Sequence, residues 1–140
     1  MPTRSRSIGP NSAALLIAAG VFVARPQTAD AATCYGVSCR GLDPQATSCN
    51  TNVSDAGHVV FTKGGSTIGY LFRYYSATCD AYFGMIQYLP QPYELTTPLT
   101  VYIQANVPLT INSANTNVLL SKMWTYGKVC GTMQGIGNCT

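Results

Sequence analysis

The sequence predicts an all-β fold: a small disulfide-stabilised β-sandwich or barrel with a Cys-rich N-terminal loop. Three observations carry that expectation. Short runs of β-branched and aromatic residues recur between turn-forming segments, with no long helical period. Six cysteines and nine tyrosines stand in a chain of 140 residues of which only 9% are charged, a composition unlike a disordered tail or a coiled coil. That length suits one modest domain rather than a multidomain machine.

Residues 1–31 have the shape of a signal peptide. Arg4 and Arg6 precede Ala13 to Ala24, an uncharged run of twelve residues. As a helix it spans about 18 Å, short of the roughly 30 Å hydrocarbon core of a bilayer. Ala29-Asp30-Ala31 supplies the small-x-small triplet for cleavage after Ala31, with Ala32 the next choice. Ala31 and Thr33 fit poorly to a lipid anchor on Cys34. The expected organisation is therefore a leader over 1–31 and a single secreted β-rich domain over 32–140. Cleavage removes Arg4, Arg6, Arg25 and Asp30, which lowers the formal charge from +3 to +1. The remaining Lys and Arg are scattered, so nucleic acid is not an expected partner, and no later segment could span a membrane as a helix.

Cys34 to Ser54 is rich in Gly, Ser, Thr, Asn and Asp and reads as a disulfide-pinned clasp. His58 to Thr62 and Thr67 to Tyr75 read as a hairpin joined by Lys63-Gly64-Gly65-Ser66. Asp80 to Leu89 is a further aromatic run, a strand or a short helix, ended by Pro90 and Pro92. Leu99, Val101, Ile103, Ala105 and Val107 alternate with Thr100, Tyr102, Gln104 and Asn106, the pattern of a half-buried strand. Asn112 to Asn117 reads as a polar turn, Val118 to Tyr126 and Lys128 to Met133 as the last strands, and Gly131 to Thr140 as a loop fastened by Cys139.

Cys34, Cys39, Cys49, Cys79, Cys130 and Cys139 all follow the cleavage site, where an oxidising environment keeps thiols paired. Three bridges are expected. Zinc sites usually show short CxxC or HxxxH pairs, which this sequence lacks, so no metal or other cofactor is expected. Spacing leaves all 15 pairings open.

The stretch Cys34 to Cys49, with its C-x4-C-x-G-x-D-P-x4-C spacing, and the patch Ser76-Ala77-Thr78-Cys79-Asp80-Ala81 resemble the exported bacterial family called domain of unknown function 2690. Phe83 stands where that family commonly has tryptophan, and Met85 where it has arginine. The resemblance implies export and a core of four cysteines, Cys34, Cys39, Cys49 and Cys79. If those four pair among themselves, Cys130 is left for Cys139, and the expected pairs are Cys49 with Cys79 and Cys34 with Cys39. The resemblance implies no established activity.

No residue set amounts to a reaction mechanism. His58 is the only imidazole, so a nucleophile system would need it beside Ser54, Ser66 or Ser76, none of which sits in a G-x-S-x-G elbow. A glycosidase needs two carboxylates about 5 to 9.5 Å apart, and Asp80 with Glu94 is the least unfavourable pair. Asp43, before a proline, reads as a turn former. Aromatic side chains are the stronger hint, because their faces stack on sugar rings or pack a protein partner. Tyr93, Tyr102 and Trp124 are the candidate binding residues, Tyr102 because alternation turns it away from the apolar face. The expected function is a non-catalytic extracellular binding or interaction module, its partner a cell-wall glycan or an extracellular protein. The alternatives are a secreted hydrolase and a self-associating envelope protein.

Overall fold

The computed structural model describes residues 32–90, 94–106 and 110–140. The expected leader and its cleavage site lie outside them, as does Tyr93. Eight strands form two antiparallel sheets: β1 (Val53–Lys63), β2 (Ser66–Ser76), β3 (Ala81–Tyr88), β4 (Leu99–Gln104), β5 (Asn112–Ala114), β6 (Val118–Leu120), β7 (Lys128–Met133) and β8 (Ile136–Cys139). One sheet has the order β1-β2-β3-β6 and the other β5-β4-β7-β8. The architecture is a β-sandwich. No helix among the described residues is long and apolar enough to cross a membrane.

The β1–β2 hairpin turns on two residues. Lys63 pairs with Ser66, and Gly64 and Gly65 take φ of 57° and 81°, the double positive φ that fits the right-handed twist of the strands. The expected four-residue connection thus closes two residues tighter. Asp80 to Leu89 resolves as strand, because Ala81 to Tyr88 pairs with β2 residue by residue.

Alternation explains the sandwich interior. Leu99, Val101 and Ile103 of β4 are all buried and meet Leu71, Ile86, Val129 and Met133 in one apolar cluster. The sheets approach closely at Gly84, where a Cβ would lie 2.3 Å from Val129 Cγ1. Only glycine leaves room there for the facing valine.

Three segments differ from the sequence expectation. The polar turn expected over Asn112–Asn117 contains β5, held by pairing with Leu99 to Val101. The strand expected over Val118–Tyr126 is β6 alone, three residues long; beyond it, Tyr82 and Trp124 form an isolated bridge. The loop expected over Gly131–Thr140 includes the end of β7 and all of β8, whose four residues pair with β7. The half-buried strand expected to reach Val107 ends at Gln104.

The clasp packs on the face of the first sheet that points away from the second. It opens with a 3-10 turn, Gly36–Cys39. Gly36 N–H donates to Cys79 O at 2.7 Å, Gly41 N–H to Met123 O at 2.9 Å and Met123 N–H to Leu42 O at 2.9 Å. Asp43 Oδ1 accepts from the amides of Gln45 and Ala46, the self-bonding turn that Asp favours. Disulfides join Cys34 to Cys39, Cys49 to Cys79 and Cys130 to Cys139. The first two lie in a small apolar cluster with Ala81, Phe83 and Met123. The third links residues directly opposite in the β7–β8 ladder.

Candidate functional site

The register of the first sheet assembles an aromatic ladder on its outward face. Tyr70, Phe72 and Tyr74 occur at every second position of β2, so they share one side. His58 lies opposite Phe72 across β1, and Phe83 opposite Tyr74 across β3. Tyr70, Phe72, Tyr74 and Phe83 follow one another in a row, with His58 beside Phe72. Centroids are 5.7 Å apart for His58 and Phe72, 5.8 Å for Tyr70 and Phe72, 5.5 Å for Phe72 and Tyr74, and 5.6 Å for Tyr74 and Phe83. All but Phe83 are partly or well exposed; Phe83 is covered by the clasp.

Where the clasp meets this face, a groove of about 300 Å³ opens. Tyr74, Phe83, Met85 and Leu120 line it from the sheet, and Gln45 and Asn50 from the clasp. None of its lining side chains is charged. Apolar walls with a few amide groups are the usual make-up of a small-ligand site. Desolvation, and secondarily the Asp55 carboxylate, raises the Tyr74 pKa above the ordinary tyrosine value. Its hydroxyl therefore stays neutral well into alkaline conditions. Val53 and Val118, each more than a third exposed, also line the groove, and exposed Val60 lies opposite Tyr70 at the other end of the ladder.

Asp55 and His58 form an ion-pair contact beside the ladder, His58 Nδ1 lying 2.8 Å from Asp55 Oδ2. Asp55 Oδ1 accepts the Gly57 N–H at 2.7 Å. That backbone bond is the leading cause of the lowered Asp55 pKa, with the His58 hydrogen bond adding to it against partial desolvation. The pair does not make a nucleophile system. Ser66 and Ser76 mark the two ends of β2, and His58 stands opposite Phe72 between them, roughly 13 Å or more along the strand from either hydroxyl's residue. Ser54 pairs with Tyr75, on the face of the sheet opposite to that of Tyr74 and Phe72, beside which Asp55 and His58 lie.

The carboxylates singled out from the sequence lie far apart. Asp80 directly precedes β3 and accepts a hydrogen bond from the Tyr75 hydroxyl at 2.8 Å. Glu94 follows the other end of that strand, its backbone carbonyl bonded by Gln134, which also bonds the Tyr88 hydroxyl. An eight-residue strand spans about 25 Å, well beyond the separation at which two carboxylates flank one glycosidic bond.

Tyr102 and Trp124 do not form one patch. Tyr102 lies on the outward face of the second sheet, opposite Cys130. Trp124 packs against the sandwich core, with the Arg40 guanidinium 5.0 Å from its ring centroid. Arg40 also donates to Thr125 Oγ1, so this contact fastens the clasp to the segment after β6. Phe72 of the ladder and Met85 of the groove were not among the binding residues expected from the sequence. The i, i+2, i+4 aromatic spacing of Tyr70, Phe72 and Tyr74 was a usable signal, whereas the place of Met85 in the groove depends on how the clasp docks.

No family model matches the chain, and neither a curated protein nor a solved structure matches it.

Proposed function

We propose that this chain is an extracellular binding module rather than an enzyme, and that it holds a neutral glycan on the aromatic face of the β1-β2-β3-β6 sheet. The observation that carries this reading is the uncharged groove at the end of the ring ladder, with Gln45 and Asn50 across from Tyr74 and Phe83. Sugar rings present C–H faces to aromatic side chains and hydroxyl or acetamido groups to amides, the combination this groove offers. An uncharged lining favours a neutral ligand, since a charged one would lose hydration without gaining a counter-charge. Three disulfides fit an extracellular or secreted protein. Cleavage after Ala31 and kinship with the exported family named above belong to the same proposal.

A glycan array followed by calorimetry with the best neutral oligosaccharide tests the reading. Tyr74→Ala should weaken binding about tenfold or more, the usual effect of losing an aromatic stacking contact, whereas Tyr102→Ala should leave it unchanged. Binding that survives Tyr74→Ala, or the absence of any glycan ligand, would overturn it. A second reading, self-association, is favoured by the exposure of Val53, Val60 and Val118 around the ladder. Concentration-dependent dimerisation abolished by Val60→Lys would support that reading instead.

A further inference from the structure

We propose that the clasp cysteines Cys34, Cys39, Cys49 and Cys79, when in the thiol form, make a tetrahedral site for one zinc ion. The spacing of the cysteines argues against a zinc motif only while the ligands are sought within one short segment. The fold brings them from three places: the turn at Cys34–Cys39, the end of the clasp at Cys49, and the β2–β3 connection at Cys79. All four sulfur atoms lie within 4.8 Å of one another and are buried. Cys34 Sγ and Cys49 Sγ, which belong to different disulfides, are 3.6 Å apart.

That geometry is close to what zinc requires. Four thiolates at about 2.3 Å from a central ion stand about 3.8 Å from each other at the corners of a tetrahedron. Side-chain rotation after release of the S–S bonds suffices to approach this spacing, because the unbonded sulfurs already bracket it. The backbone that carries them has its own fastenings. The bonds from Gly36 to Cys79, from Gly41 to Met123 and from Met123 to Leu42 tie the clasp to the sheet without any sulfur. Ala81, Phe83 and Met123 pack around the cluster and limit water access, and a hydrophobic shell of this kind controls solvent at a metal centre. Arg40 follows Cys39 and Asp80 follows Cys79 in sequence, and Lys122 pairs with Asp43 of the clasp, so the charges around the cluster balance and the thiolates themselves carry the affinity for the ion.

The chemistry balances. Reduction of two disulfides by a phosphine or dithiol delivers four electrons and four protons and gives four thiols. Binding of Zn²⁺ then releases four protons and forms four Zn–S bonds. The inference concerns the chain before its cysteines are oxidised, and it stands independently of the glycan proposal.

The test uses the full chain carrying Cys130→Ser and Cys139→Ser, so that only the clasp supplies thiols. After phosphine reduction under anaerobic conditions the protein is titrated with Co²⁺ and then Zn²⁺. One equivalent of Co²⁺ should bind, with thiolate-to-cobalt charge transfer and the visible bands of a tetrahedral ion, and one equivalent of Zn²⁺ should displace it. A further Cys39→Ser change should weaken the site more than about 100-fold, since the loss of even an outer-shell partner costs 10- to 100-fold. If reduction unfolds the clasp, zinc should restore the folded amide spectrum. A stoichiometry other than one, affinity indifferent to Cys39→Ser, or failure of zinc to restore a clasp lost on reduction would each overturn the proposal.

Discussion

Removing the Cys49–Cys79 bridge should destabilise the domain more than removing either of the others. The three bridges close loops of very different length: 30 residues for Cys49–Cys79, nine for Cys130–Cys139 and five for Cys34–Cys39. Loop-closure entropy in the unfolded chain then assigns them about 3.6, 2.6 and 2.1 kcal/mol at 25 °C. For a domain of this size the first figure corresponds to a fall in Tm of about 15 °C. Burial does not separate the two clasp bridges, because Cys34, Cys39, Cys49 and Cys79 are all buried in the cluster with Phe83 and Met123, so the ranking rests on loop length. The assay is urea unfolding of the paired variants Cys49→Ala/Cys79→Ala, Cys130→Ala/Cys139→Ala and Cys34→Ala/Cys39→Ala, comparing unfolding free energies extrapolated to water, since loss of a crosslink expands the unfolded chain and changes m. If the Cys49/Cys79 variant lost no more than the Cys34/Cys39 variant, the entropy argument, and with it the role of that bridge in holding the clasp to the sheet, would fail.

Gly84→Ala should cost about 1 to 3 kcal/mol, the typical penalty for overpacking a core, because the new methyl collides with Val129; a urea midpoint equal to wild type would mean that the sheets are not in contact there. Asp55→Asn should flatten the acid limb of the stability profile. The carboxyl pKa is depressed in the folded chain, so its contribution is present above the ordinary carboxylate value and is lost as pH falls through the depressed one. The effect is small, since the group is solvent-exposed, and it appears as wild-type and variant midpoints converging below about pH 4. Alkaline difference spectroscopy should find two late-ionising tyrosines, Tyr74 raised by desolvation and Tyr75 by its hydrogen bond to Asp80, of which one disappears in Tyr74→Phe; an unchanged titration would place Tyr74 in open solvent.

Much of the sandwich was legible because local chemistry and tertiary position agree. Two glycines between apolar runs dictated the β1–β2 turn, and the alternation through Leu99, Val101 and Ile103 identified the strand whose inward residues form the core. The strands β5 and β8 were not legible. Asn112-Ser113-Ala114 and Ile136-Gly137-Asn138-Cys139 have little intrinsic strand preference and are strands because β4 and β7 offer them free edges. The candidate site divides in the same way. The spacing of Tyr70, Phe72 and Tyr74 is visible along the chain, but the positions of His58 and Phe83 beside them follow from strand register, which the turns and the core set together. Likewise the polar clasp gives no local sign that Gln45 and Asn50 will border an apolar groove. That arrangement follows from Cys49 being tied to Cys79 at the end of β2.

The most direct test of the proposed binding face is an NMR titration of the isotope-labelled protein with a neutral oligosaccharide, an N-acetylglucosamine tetramer. Shifts should be confined to Gln45, Asn50, His58, Phe72, Tyr74, Phe83 and Met85. Shifts centred on Tyr102 and the outward face of the second sheet, or no shifts with this or any neutral glycan, would contradict it.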